Sequence, residues 1–172
     1  ANSINWGRLA PQIVYYISAY CDMVSSGAIS CGDVIDVCVP TGNFGDILAG
    51  YFALLLGLPV GKLVCASNKN NILTDFLRSG VYDKNRSFYT TMSPSMDILI
   101  SSNLERLLYL LLGGERCAEL MRQLSECGRY ELTKAELEIM NESFVGYFAD
   151  EKDCINTVKK TYEKEDRLID TH

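Results

Sequence analysis

The stretch VIDVCVPTGNFGDILAGYF, residues 34–52, constrains this chain more than any other. A β-branched apolar run, Val34 to Val39, passes through Gly42, Asn43, Phe44 and Gly45 directly into helical spacing opened by Asp46. That order is strand, glycine bend, helix. Glycine lets a backbone turn tightly and approach a neighbour closely, and the first turn of a helix leaves several N–H groups without intrahelical partners. Donors of that kind at the positive end of a helix dipole suit a phosphate dianion. The Gly-x-x-Gly spacing alone also fits a plain strand-to-helix turn whose glycines serve only geometry.

The rest of the chain alternates in the same way. Residues 5–26 carry apolar side chains at Leu9, Ile13, Val14, Ile17 and Tyr20, which is helical spacing, with Gly27 as the stop. A strand follows at 34–39, then a helix from Asp46 to Leu56 that ends at Gly57 before Pro59. A second strand, Lys62 to Ala66, leads into a helix that Asn70 or Asn71 caps and Gly80 terminates. The asparagines at 68, 70 and 71 read as turn-makers at a strand end. Residues 81–96 read as irregular, with Pro94 restricting Ser93 to extended geometry, and helices are expected over 101–112 and 115–126. Thr133 and Glu136 form a capping-box signature, Phe144 to Phe148 reads as a third strand, and a last helix runs from Cys154 to Lys164. Strands separated by helices predict one α/β domain over 1–172, a three-layer αβα arrangement with a mostly parallel sheet covered on both faces. Its ligand is expected outside the carboxyl ends of the strands.

Composition narrows the function classes. A chain of 172 residues can bury a full core without disulfides or metals. The formal charge of −6 argues against nucleic acid or an anionic membrane as partner, because either needs a clustered basic face. The seven cysteines include no C-x-x-C pair, which is cytoplasmic usage; thiols in strands, such as Cys38 and Cys65, are expected to be small buried hydrophobes. The only histidine is His172, so zinc is disfavoured. No apolar run approaches the roughly 20 residues needed to span a bilayer.

The segment VPTGNFGDILAGYFA resembles the cofactor-phosphate segment of threonine synthases, pyridoxal-phosphate enzymes of the tryptophan-synthase-β kind, fold type II. NSINWGRLAPQ at 2–12, KLVCASNKNNILTDFLRSG at 62–80, TMSPSMDILISSNLERLLY at 91–109 and RLIDTH at 167–172 resemble the same family in its usual order. The resemblance implies that N–H groups across Gly42, Asn43, Phe44 and Gly45 hold the 5′-phosphate of pyridoxal 5′-phosphate, with Thr41 lending a hydroxyl. Asp46 would repel that phosphate, so its side chain is expected to turn away. Asn2, Ser3 and Arg8 match positions that contact the phosphate of O-phosphohomoserine, a role for which a guanidinium offers two parallel donors. Spacing alone equally allows Asn2 and Ser3 to cap the first helix and Arg8 to be a solvated charge. Trp6 is expected to bury its ring. Ser93, Pro94, Ser95 and Asp97 match a family segment at a domain edge, where they could position other parts or touch a ligand.

The family holds its cofactor on a lysine in a Ser-Phe-Lys-Asp-like segment upstream of the Asn-Ser-Ile-Asn-Trp motif, and no lysine of this chain stands in that context. The group facing the pyridine nitrogen is expected after Asp170-Thr171-His172. The resemblance thus implies an internal piece of a larger enzyme, inactive alone, with the remaining segments of that enzyme as its partners. The reaction implied is O-phospho-L-homoserine and water to L-threonine and phosphate. Four other readings stay open: a phospholyase-like relative that releases a keto acid; a threonine or serine dehydratase, disfavoured by the N-terminal motif; a non-catalytic phosphate-binding module; and a doubly wound domain without ligand.

Overall fold

A computed structural model describes residues 5–172. The chain opens with α1 (Trp6–Leu9), a 3₁₀ turn (Ala10–Gln12) and α2 (Ile13–Ser25). Asn5 caps α1, its Oδ1 accepting from the Gly7 N–H at 2.9 Å. Then come β1 (Ile35–Pro40), α3 (Gly45–Leu55), β2 (Val60–Ser67), α4 (Ile72–Ser79), β3 (Val81–Asp83) and a 3₁₀ turn (Pro94–Met96). The second half holds α5 (Leu104–Leu112), α6 (Gly114–Cys127), β4 (Arg129–Glu131), α7 (Lys134–Asn141), β5 (Phe144–Phe148) and α8 (Glu151–Glu165).

β1, β2 and β5 form a parallel sheet in the order β1-β2-β5, the α/β arrangement expected. Register assigns the faces. Val37, Leu63 and Phe144 lie side by side, as do Val39, Cys65 and Gly146, and this face is the one the helices cover. α3 reaches it at Gly50, where an added Cβ would lie 3.0 Å from a Leu63 methyl. α4 reaches it at Gly146, where an added Cβ would lie 2.8 Å from the Thr74 Cα. A strand glycine here permits an approach no larger residue allows. Leu63, Cys65, Phe144, Ile47, Leu48, Leu73 and Phe76 fill the space between, each worth roughly 1.5–3 kcal/mol for a large apolar side chain fully buried. Burial pushes the Cys65 thiol up to about 12.

The opposite face is less covered in this segment. Cys38, Val64 and Val145 form one row there and Pro40, Ala66 and Tyr147 the next; Cys38, Pro40 and Tyr147 are exposed and the other three half-buried. Cys38 is therefore not the buried hydrophobe its sequence context suggested, because alternation puts it on the uncovered side.

Other departures have local causes. Val14 and Ile17 are exposed, while Tyr20 is buried as expected and Tyr16 is buried with it. The covered stripe runs through Leu9, Ile13, Tyr16 and Tyr20 at ordinary helical spacings of four, three and four, and Val14 and Ile17 fall to one side of it. Trp6 stays 47% exposed, edge-on to Phe52 of α3 at 5.1 Å. Within the stretch expected to be irregular, β3 pairs antiparallel with β4, and Tyr82 stacks on Tyr130 at 5.1 Å with Phe76 edge-on to both. The Thr133–Glu136 capping box is present, and a second, Asp150–Asp153, starts α8 three residues earlier than its apolar pattern does. Among the described residues no helix is long and apolar enough to cross a membrane.

Candidate functional site

The loop at 41–45 continues β1 by one bond, Thr41 N–H to the Ala66 carbonyl at 2.8 Å, and then leaves the sheet at its carboxyl end. Its turn is not made by its glycines. Phe44 is the left-handed residue, at φ 66°, and serves as the N-cap of α3. Such a conformation costs a non-glycine residue roughly 1–2 kcal/mol, and burial holds it. The Phe44 ring is fully buried against Phe144 at 5.5 Å, and Phe144 in turn meets Tyr51 of α3 at 5.4 Å. Gly42 serves close approach instead: a Cβ there would lie 3.0 Å from the Ser95 carbonyl oxygen and 3.1 Å from the Met96 Cα.

The loop's polar groups divide by direction. Gly42's carbonyl accepts from Ser101 Oγ at 2.8 Å, and Asn43's carbonyl accepts from both the Asn103 N–H at 3.0 Å and its Nδ2 at 3.1 Å. Asn43 Oδ1 takes the Gly45 N–H at 3.0 Å. Among the described residues, the N–H groups of Gly42, Asn43 and Phe44 and those of Asp46 and Ile47 in the first turn of α3 meet no acceptor. Of the four amides expected to face an anion, three are thus open and Gly45's is engaged within the loop. The Thr41 hydroxyl donates to the Val39 carbonyl at 2.7 Å.

Asp46 is held from outside the loop. The Tyr16 hydroxyl of α2 lies 2.8 Å from the Asp46 carbonyl and 3.2 Å from its Oδ1. Burial, then the neighbouring Asp46 carboxylate, push the Tyr16 phenol well above its ordinary value, so it stays protonated and donates. The same ring covers Gly50, one turn further along α3.

The floor of the site joins the asparagines expected to make turns to the segment matched to a domain edge. Asp97 accepts from Asn68 Nδ2 (2.8 Å), Asn70 Nδ2 (2.9 Å) and the Thr91 hydroxyl (2.7 Å) at one carboxylate oxygen, and from the Thr91 N–H (2.8 Å) at the other. Burial alone would raise this carboxyl, but those donors outweigh it and hold it below the usual carboxylate range. The network fixes the stretch that carries Ser95 and Met96 against Gly42. Beside it, a cavity of about 270 Å3 opens at the carboxyl ends of β2 and β5, lined by Ser67, Asn68, Ser93, Met96, Cys154 and Thr171. Ser101, Asn103 and the Tyr82 hydroxyl that steadies them were not singled out from sequence. The only hint was a Ser-Ser-Asn run just before the apolar helix, which was read as part of that helix.

Of the residues matched to a substrate phosphate, only Arg8 falls within the described part of the chain. Asn2 and Ser3 lie outside the described residues, and Arg8 is exposed on α1, which meets α3 at Phe52, seven residues and about 10 Å along the helix from Gly45. A separate cleft of about 590 Å3, bounded by Trp6, Phe52, Ser102, Arg106 and Tyr109, lies on that side. Among the described residues no cluster of three or more His, Cys, Asp or Glu could hold a metal ion.

Comparison with known proteins gives the arrangement its context. No protein-family model matches the chain. Threonine synthase-like 1 from Homo sapiens is 47% identical over 175 residues, taking in 100% of this chain and 24% of that protein. Threonine synthase from Saccharomyces cerevisiae is 39% identical over 173 residues, covering 94% of this chain and 33% of that protein. Among solved structures, a PLP-bound threonine synthase from Brucella melitensis superimposes with a TM-score of 0.92 at 38% identity, covering 100% of this chain and 36% of that one. Yeast threonine synthase does so with a TM-score of 0.93 at 36% identity, over 99% and 36% respectively. The chain spans about a quarter of the length of the first curated relatives it matches. By sequence and by fold the chain matches a segment of threonine synthases and threonine synthase-like proteins that makes up about a quarter to just over a third of their length.

Proposed function

We propose that this chain supplies the phosphate-holding part of a pyridoxal-phosphate-dependent threonine-synthase-like enzyme that acts on O-phospho-L-homoserine. One observation carries the reading: the N–H groups of Gly42, Asn43 and Phe44 lack acceptors among the described residues, while the carbonyls of Gly42 and Asn43 are tied down. Amides left open at a helix start fit a phosphate, which needs donors and no counter-charge contact. The Asp46 carboxylate is held by the Tyr16 hydroxyl of α2, from outside the loop. The Thr41 hydroxyl would have to turn from the Val39 carbonyl to add a further donor.

When bound, pyridoxal phosphate supplies the electron sink for carbanion chemistry. The role proposed for this chain is to hold its phosphate, through the amides of Gly42, Asn43 and Phe44 at the carboxyl end of β1. Asn2, Ser3 and Arg8 are proposed for the substrate phosphate. Each of the eight lysines lies outside a Ser-Phe-Lys-Asp-like context, so the chain alone is expected to give no turnover. Its partners on this reading are the other segments of the longer enzyme. Seven free thiols suit a reducing compartment such as the cytoplasm.

The test compares pyridoxal 5′-phosphate with pyridoxal in equilibrium binding to the chain. The phosphate ester should bind at least about tenfold more tightly, the equivalent of about 1.4 kcal/mol; equal affinities would remove the phosphate cradle. A second reading takes the segment as part of a phospholyase-like relative of threonine synthase, and the product separates the two. A longer protein carrying this segment, given O-phospho-L-homoserine, would release threonine on the first reading and a keto acid on the second.

A further inference from the structure

An amide can face a ligand only while its peptide plane is held, and here the holders lie far away in sequence. We infer that Ser101 and Asn103 are positioning residues that aim the loop's amides at the anion; the inference rests on the phosphate reading above. In a trans peptide unit the C=O and N–H point in opposite directions. The Gly42 carbonyl shares its plane with the Asn43 N–H, and Ser101 Oγ, 59 residues on, grips that carbonyl at 2.8 Å. The Asn43 carbonyl shares its plane with the Phe44 N–H, and Asn103 grips it twice, at 3.0 and 3.1 Å. Two of the three open amides therefore project away from the 101–103 segment.

The second plane needs its anchor most. Flipping the Asn43–Phe44 unit would carry Phe44 from φ 66° back to negative φ, releasing left-handed strain. It would also turn the Phe44 N–H inward and present a carbonyl oxygen to the anion. The two donors from Asn103 oppose that flip. They are themselves fixed. Ser101 and Asn103 are buried, the Ser101 N–H donates to the Tyr82 hydroxyl at 2.9 Å, and that hydroxyl donates to the Leu99 carbonyl at 3.0 Å. Tyr82 is stacked on Tyr130 in the β3–β4 ribbon. The ribbon, remote from any ligand, thereby sets the direction of the amides.

The test uses the 15N-labelled chain, inorganic phosphate as probe, and the variants Ser101→Ala, Ser101→Thr and Asn103→Ala. Each is read by phosphate affinity, by the amide shifts of Asn43 and Phe44, and by the thermal midpoint without phosphate. Ser101→Ala is expected to weaken phosphate about tenfold, as for a lost aimed donor. It should remove the Asn43 response while the rest of the spectrum stays native. Ser101→Thr, which keeps the hydroxyl, should restore both. Asn103→Ala should do the same to Phe44; if it fails to fold, the serine pair decides. Unchanged phosphate affinity in Ser101→Ala, or a loss that Ser101→Thr does not restore, overturns the positioning role and leaves the cradle standing. Absence of any phosphate response at Gly42, Asn43 and Phe44 in the parent chain overturns the cradle, and the positioning role with it.

Discussion

Replacing Gly42 by alanine probes the loop at its tightest contact. The new Cβ would stand 3.0 Å from the Ser95 carbonyl oxygen, 3.1 Å from the Met96 Cα and 3.6 Å from an Ile98 methyl. Two of these are backbone atoms and cannot swing aside, and the Asp97 bonds to Asn68, Asn70 and Thr91 hold their segment in place. Gly42 is absent from the positive-φ glycines, so no left-handed strain enters and the cost is steric. Overpacking of this sort costs about 1–3 kcal/mol, and the stiffer unfolded chain returns about 0.4–1 kcal/mol. The net loss is about 1–2 kcal/mol. At about 2–4 °C per kcal/mol for a chain of this size, the thermal midpoint followed by circular dichroism should fall by about 2–8 °C. Relief of the clash by movement of the loop should also weaken inorganic phosphate several-fold. An unaltered midpoint together with unaltered phosphate affinity would refute the claim that Gly42 is there for close approach.

Three further substitutions test other parts of the account. Tyr16→Phe keeps the ring over Gly50 but removes the bond to Asp46, so stability should drop by about 1 kcal/mol and phosphate should bind more weakly as the carboxylate is freed; a calorimetric melt and a titration check both. Gly146→Ala would put a Cβ 2.8 Å from the Thr74 Cα and force α4 off the sheet, with a loss of about 2–3 kcal/mol in urea unfolding, at the upper end for overpacking. The Arg116 guanidinium, bonded at 2.7 and 3.1 Å, holds Glu136 below the usual carboxylate range; burial opposes it, and the Thr133 amide and hydroxyl add to it. A carboxyl depressed in the folded state stabilises above its unfolded value, about 4.3, and loses that contribution as pH falls through the folded value. Midpoints of the parent and of Glu136→Gln should therefore differ most near neutrality and converge on acidification; a constant gap would contradict the linkage.

What sequence made legible was whatever depends on near neighbours. Gly80 ends α4 at φ 77°, the Thr133–Glu136 box starts α7, and the three strands of the parallel sheet fall where apolar or aromatic runs stand. The glycine loop sits at a carboxyl strand end as expected. Its left-handed residue was hidden, because Phe44 owes its conformation to a ring buried against Phe144, a hundred residues later. Ser101 and Asn103 were hidden for the same reason: their partners lie 59 and 60 residues back, and no periodicity reports a contact of that range. β3 and β4, three residues each, are too short for alternation to register against the surrounding turns. Val14 and Ile17 misled because apolar character alone does not pick the covered stripe: Tyr16 takes the place beside Tyr20, its hydroxyl bonded to the Asp46 carbonyl 30 residues on.

The central claim is that the amides of Gly42, Asn43 and Phe44 receive a phosphate group. A crystal of the chain grown with pyridoxal 5′-phosphate measures this directly. The account predicts phosphate oxygens within about 3 Å of those three nitrogens. A phosphate bound elsewhere, with the loop amides donating to protein oxygens, would contradict it.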